Sequence, residues 1–180
     1  MMVRCFIAAP LPEDIKRRVL ELQKGMKELN MECKFVEEEN MHITLSFLGD
    51  ISEDDVEKIN IQLGYLPKKF SKIPARVCGL KIIPSESYIR VIALDVFDEN
   101  MQLEKLSREI KGAVGGDVKP PHVTVCRVKN IENKKEVLEK LDVWKKFDAG
   151  TFIVSEIRLM KSELGGKGPT YKALRSYQLA

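Results

Sequence analysis

The stretch Met41-His42-Ile43-Thr44-Leu45-Ser46-Phe47-Leu48-Gly49 is echoed, 80 residues on, by Pro121-His122-Val123-Thr124-Val125-Cys126-Arg127. The chain has only two histidines, and each opens the same phrase: His, an apolar residue, Thr, an apolar residue. A strand alternates its side chains between faces. His42 and Thr44 therefore share one face, while Ile43 and Leu45 point to the other. His122 and Thr124 stand in the same relation to Val123 and Val125. With four threonines in 180 residues, finding this spacing at both histidines by chance is roughly a 1 in 2,000 event. The pattern predicts a site built from two half-buried strands. The plainer reading, two unrelated strands each holding a hydrogen-bonded histidine, leaves the repetition unexplained.

Outward from these strands the chain alternates strands and helices. Val3–Ala9 reads as a strand closed by Pro10-Leu11-Pro12. Glu13 and Asp14 suit a helix N-terminus, and Ile15, Val19, Leu22, Met26 and Leu29 recur at helical spacing. Ser52 is a helix N-cap, with Ile51 and Val56 in the staple positions. Ser71–Ile82 and Tyr88–Phe97 read as strands joined by a turn at Pro84-Ser85. A helix near Asn100–Val114 is stopped by Gly115-Gly116. Lys119-Pro120-Pro121 leads into the second motif strand, and a helix over Asn133–Lys145 follows it. Strands near Phe147–Lys161 and Thr170–Leu179 flank the loop Gly165-Gly166-Lys167-Gly168-Pro169. Ile51 and Ile131 also lie 80 residues apart, each before a helix. The reading is therefore an internal duplication of strand, turn and helix around His42 and His122. The expected class is α+β: two pseudo-symmetric lobes, antiparallel sheets lining a central cleft, and helices outside. With no linker composition between them, residues 1–180 are expected to form one bilobal domain.

Composition sets bounds. Hydrophobic residues make up 44% and charged residues 32% of the chain, a globular balance. A net charge of +3 fits a phosphate-bearing partner without demanding one, and is too small to argue for a long RNA footprint. Cys5, Cys33, Cys78 and Cys126 form no Cys-x-x-Cys pair and read as free thiols. Two histidines without a carboxylate–histidine cluster argue against a metal centre. No cofactor is expected, since neither a Walker A loop nor a dinucleotide-binding glycine fingerprint is present. The apolar run Cys5–Pro10 is too short for a signal peptide and no segment could span a bilayer. The expectation is a cytoplasmic monomer without membrane contact.

Two imidazoles facing one cleft can serve as general base and general acid near neutrality. Two threonine hydroxyls beside them can hold an anion. That set suits in-line displacement at phosphorus. A serine-type hydrolase is disfavoured, because no Gly-x-Ser-x-Gly elbow exists.

These residues resemble the two-histidine phosphoesterase superfamily, and within it the bacterial and archaeal RNA 2′,3′-cyclic phosphodiesterases, also called 2′-5′ RNA ligases. The resemblance extends through Arg4-Cys5-Phe6-Ile7-Ala8, Lys161-Ser162-Glu163-Leu164 and Gly168-Pro169-Thr170-Tyr171. It implies metal-independent hydrolysis of RNA 2′,3′-cyclic phosphate ends, including those of tRNA fragments, to 2′-phosphates. It also implies reversible 2′-5′ joining. Carried onto this chain, His42 and His122 are the catalytic pair, and Thr44 and Thr124 hold the phosphate. His42 is expected to protonate the leaving 3′ oxygen and His122 to activate water. Arg127 would add a cation, but its parity in a regular strand is opposite to that of His122, so it reaches the site only if the strand ends, twists or bulges. Arg90 matches a family segment carrying an arginine near the ligand. Tyr171 or Phe47 could stack on a base, although Phe47 shares parity with Ile43 and Leu45 and so reads as core. The alternatives are an enzyme whose main task is 2′-5′ ligation, and a nucleotide- or RNA-binding module without catalysis.

Overall fold

The computed structural model describes residues 1–180. In chain order the elements are β1 (Met2–Pro10), α1 (Glu13–Met26), β2 (Met31–Phe35), β3 (His42–Ser52), α2 (Glu53–Leu63), β4 (Ile73–Ser85), β5 (Tyr88–Phe97), α3 (Gln102–Val114), β6 (His122–Ile131), α4 (Lys134–Leu141), β7 (Asp148–Val154), β8 (Glu156–Gly165) and β9 (Gly168–Gln178). The strands pair antiparallel in the order β7-β4-β5-β6-β3-β1-β8-β9, with β2 added to β6. This is the α+β architecture the sequence predicts.

Four local readings change. β2 is absent from the sequence reading, because its five residues alternate half-buried and exposed and include Glu32 and Lys34. The run Phe147–Lys161 is two strands, broken at Ser155. β7 lies at one edge of the strand order and β8 next to the opposite edge. Pro84 continues β4 opposite Ile89, so the turn falls at Glu86-Ser87. The last helix ends at Leu141 and tightens into a 3₁₀ turn over Asp142–Trp144. The Ser52 cap is as read, its Oγ accepting from Asp55 N at 3.1 Å; Asn133, read only as the start of the last helix, also caps it, Oδ1 accepting from Glu136 N at 3.1 Å.

The sheet has a seam. β3 and β6 meet in a single register pair, Ile43 opposite Val123. Four strands run outward on each side, β3-β1-β8-β9 and β6-β5-β4-β7, so a pseudo-twofold axis passes through the seam. The registers make the correspondence residue by residue. Thr44 faces Ala8 as Thr124 faces Ala93, Phe47 faces Phe6 as Arg127 faces Val91, and Met160 faces Phe6 as Ile83 faces Val91. The lobes are not successive halves of the chain, because the first takes β1 and β3 from one end and β8 and β9 from the other.

Helices cover the outer side. α1 packs on β7 and β6, while α2 and α3 pack on β3. Ile15, Val19 and Leu22 of α1 and Leu103, Leu106 and Ile110 of α3 are essentially fully buried, as are Ile7, Ile43, Leu45, Ile92, Val123 and Val125 beneath them. Each such side chain contributes roughly 1.5–3 kcal/mol of transfer free energy. One continuous core runs under both lobes, so packing, not seam hydrogen bonding, holds them together. All four cysteines are free, with Cys5 and Cys126 buried.

Candidate active site

Both motif strands carry an extra residue at the same place. β1 pairs Ala8 with Thr44 and then Ile7 with Ser46, leaving Leu45 without a partner. β5 pairs Ala93 with Thr124 and then Ile92 with Cys126, leaving out Val125. A bulge of this kind reverses the alternation beyond it. From His42 to Phe47 and from His122 to Arg127, burial runs identically: half-buried, buried, half-buried, buried, buried, exposed. Phe47 and Arg127 thus rejoin the face of the histidines and threonines. The condition that Arg127 required is met. The core assignment of Phe47 is corrected: it is 43% exposed and lines the cleft, because the bulge at Leu45 cancels the parity it shares with Ile43.

A cavity of about 390 Å³ lies over the seam on this face, and His42, Thr44, His122, Thr124, Arg127 and Tyr171 all line it. Arg90 does not. It alternates with Val91, which faces the cavity, and its Nη1 donates instead to Tyr88 Oη at 2.8 Å. The expectation that places Arg90 beside the ligand is corrected accordingly.

The two imidazoles are held alike. His42 Nδ1 lies 2.7 Å from Asn40 O, and His122 Nδ1 lies 2.8 Å from Pro120 O. In each case the carbonyl is two residues back. A carbonyl only accepts, so each Nδ1 carries a hydrogen and each neutral ring keeps its lone pair on Nε2. His42 Nε2 sits 2.8 Å from Thr44 Oγ1, whose hydroxyl donates to it.

Their surroundings differ. The Phe6 and Tyr171 ring centroids lie 4.9 and 5.4 Å from that of His42. Burial is the largest influence on His42 and pushes its pKa down to about 4. The Asn40 carbonyl partly opposes this, and the positive charges of His122 and Arg127 add to it. His42 is therefore neutral near pH 7.

Several lining residues escaped the sequence reading. Phe6 belongs to a strand whose partner could not be named in advance. Lys34 lies on the unrecognised β2; its Nζ donates to Lys167 O at 2.7 Å. Asn40 Nδ2 donates to Pro169 O at 3.0 Å, and together they tie the β8–β9 turn across one end of the cleft. Asp117 enters through paired backbone hydrogen bonds with Phe47, 2.9 Å each way, and Lys119 pairs with it at 3.3 Å. None carries a spacing signal. No group of three or more His, Cys, Asp or Glu side chains converges as a metal-holding set. The cleft instead offers two Nε2 atoms, two threonine hydroxyls and one guanidinium, which suits proton transfer around an anionic centre.

Comparison with known proteins agrees with this geometry. A sequence model described as LigT like Phosphoesterase matches residues 9–93. The RNA 2′,3′-cyclic phosphodiesterase of Methanocaldococcus jannaschii is 34% identical, covering 97% of this chain and 100% of that protein. The protein of the same name from Methanothermobacter thermautotrophicus is 32% identical, covering 99% and 100%. Among solved structures, TT0787 of Thermus thermophilus superposes with a TM-score of 0.83 at 24% identity over 98% of this chain and 97% of that one. E. coli LigT complexed with 3′-AMP gives 0.79 at 18% identity over 99% and 98%. These two likenesses show a shared fold.

Proposed function

Because the chain belongs to the LigT-like phosphoesterase family, we propose that it hydrolyses RNA 2′,3′-cyclic phosphate ends to 2′-phosphates, with His42 and His122 as the acid–base pair. Full-length relatives bear the name RNA 2′,3′-cyclic phosphodiesterase, and the chain is an enzyme of that class. The observation that carries the mechanism is the matched pair of Nδ1–carbonyl bonds, which aims two equivalent Nε2 atoms from opposite lobes into one cleft.

The cyclic phosphate sits over the seam. On binding, Thr44 turns its hydroxyl from His42 Nε2 to a non-bridging oxygen, which frees Nε2, and Thr124 and Arg127 donate beside it. One imidazole removes a proton from water as the water oxygen bonds to phosphorus. The P–O3′ bond breaks, and the other ring, which enters the step as an imidazolium, delivers its Nε2 proton to O3′. His42 is unprotonated in the free protein, and we assign it the water. His122 then protonates the 3′ oxygen. This order is the reverse of the one expected from the sequence; what supports it is the desolvation of His42, which leaves that ring unprotonated before substrate binds. A 5′-hydroxyl in place of water makes the same step a 2′-5′ ligation, which we propose as a second use of the same site, with the 5′ oxygen bonding to phosphorus as the P–O3′ bond breaks. Phe47 and Tyr171 offer ring faces to the base of the terminal nucleotide.

The test is incubation of the protein, with EDTA, with a short RNA ending in a 2′,3′-cyclic phosphate. A 2′-phosphate end is the expected product. His42→Ala and His122→Ala each lose at least about 100-fold in rate while keeping the fold. Binding of the RNA without turnover would instead identify a recognition module. Turnover that disappears with EDTA would overturn the metal-independent mechanism.

A further inference from the structure

The two lobes place identical groups at equivalent positions but wall them differently. Phe6 stands opposite Phe47, and its equivalent in the second lobe is Val91, opposite Arg127. Tyr171 reaches the cleft because β9 pairs with β8 along its whole length. Its counterpart strand β7 pairs only with Ile73–Cys78 of β4 and stops short of the cleft. The first lobe therefore closes two aromatic rings on its imidazole, and the second presents aliphatic Val91 and Ile83. Phe6 and Tyr171 also contact one another, edge to face, with centroids 4.9 Å apart, so the wall is a packed unit.

We propose that Phe6 and Tyr171 are positioning residues that make the two histidines unequal. They take water from one flank of His42, while His122 keeps an aliphatic and more open flank, so the two rings hold fixed, non-interchangeable roles. The inference rests on the acid–base pair proposed above. An aromatic wall acts in two opposite ways. It removes water from the ring, which disfavours the imidazolium, and its π-faces attract a cation. Phe6 is itself only 3% exposed, so water is excluded on that side of the ring, and desolvation is the stronger effect. The groups that face His42 can be named from each neighbouring element. β6 brings His122 and Arg127, both cationic when protonated. β9 brings Tyr171. β8 brings Arg158 on the same sheet face, bonded to Glu156 at 2.7 Å. The segment before β3 brings the Asn40 carbonyl. Glu37 and Asp117 line the same cavity, but neither is among the influences on His42, which are burial, the Asn40 carbonyl, His122 and Arg127.

With only two histidines in the chain, imidazole NMR titration of the free protein resolves each ring without crowding. In Phe6→Val, which copies the second lobe, the His42 midpoint is expected to rise by at least about one pH unit, and in Tyr171→Leu by a smaller amount. Tyr171→Phe keeps the ring and leaves the midpoint in place. The acid limb of kcat/KM follows the His42 midpoint in each variant. A His42 midpoint unmoved in both Phe6→Val and Tyr171→Leu overturns the inference, as does an equal movement of His122. Should Phe6→Val fail to fold, Phe6→Leu and the half-buried Tyr171 position carry the test. The titration needs no substrate, so its failure is distinct from an absence of turnover.

Discussion

Ile43 and Val123 meet as the single register pair between β3 and β6, and both are fully buried. Each lies between the polar members of its own motif: His42 and Thr44 flank Ile43, and His122 and Thr124 flank Val123. The pair sets the spacing of four polar side chains that point the other way. Ile43→Ala removes apolar volume at this seam and is expected to cost about 2–5 kcal/mol of stability. It also lowers kcat at temperatures where the variant is fully folded. Denaturant titration beside turnover checks both, and an unchanged kcat would show that the half-sites do not depend on the seam for their spacing.

The division of labour between the imidazoles is read with a substrate whose bridging 3′ oxygen is replaced by sulfur. A thiolate leaves without protonation, so it relieves the need for a general acid. His122→Ala is expected to recover at least about 100-fold in rate on the sulfur substrate relative to oxygen. His42→Ala recovers nothing, because its lost step is activation of water. The opposite pattern would exchange the two roles.

Stability should depend on pH through His42. Its folded pKa of about 4 lies below the unfolded value of roughly 6.5. Between these the unfolded chain binds more protons, so protonation favours unfolding as pH falls. Relative to His42→Asn, the protein should lose stability progressively from about pH 6.5 down to about pH 4, by an amount on the order of 3 kcal/mol. Chemical denaturation of both proteins across this window measures it. Parallel curves would mean that His42 is not desolvated in solution.

Arg127 and Arg90 should separate cleanly. Arg127→Met removes a charged donor facing the cleft and is expected to weaken competitive inhibition by inorganic phosphate by about tenfold or more. Arg90→Met removes a guanidinium engaged with Tyr88 outside the cavity and should leave that inhibition constant within about twofold. Equal losses in the two variants would mean that charge at long range, not contact, is responsible.

Local pattern carried much of this protein. The repeated His-x-Thr spacing, the helical recurrence of Ile15, Val19 and Leu22, and the Ser52 cap depend on neighbours a few residues away, and such preferences are written in the chain itself. The α+β class and the pairing of His42 with His122 in one cleft were legible on those grounds. Other features had no local signal. Phe47 and Arg127 enter the cleft only because Leu45 and Val125 bulge, and a bulge exists only relative to a partner strand. Arg90 and Arg127 are both arginines on exposed strand positions, and register alone sends one into the cavity and the other away. β2 is a strand because β6 offers it an edge, not because its five residues demand it.

The amino-acid pattern alone singled out His42, Thr44, His122 and Thr124 and set them in two matched halves. Which lobe is aromatic, which histidine is desolvated and which arginine lines the cleft became fixed only with strand pairing. The physical reason is range. Spacing along a chain sets the face a side chain takes, whereas desolvation and register are properties of pairs brought together from distant positions. Phe6 and His42 lie 36 residues apart in sequence and 4.9 Å apart in space.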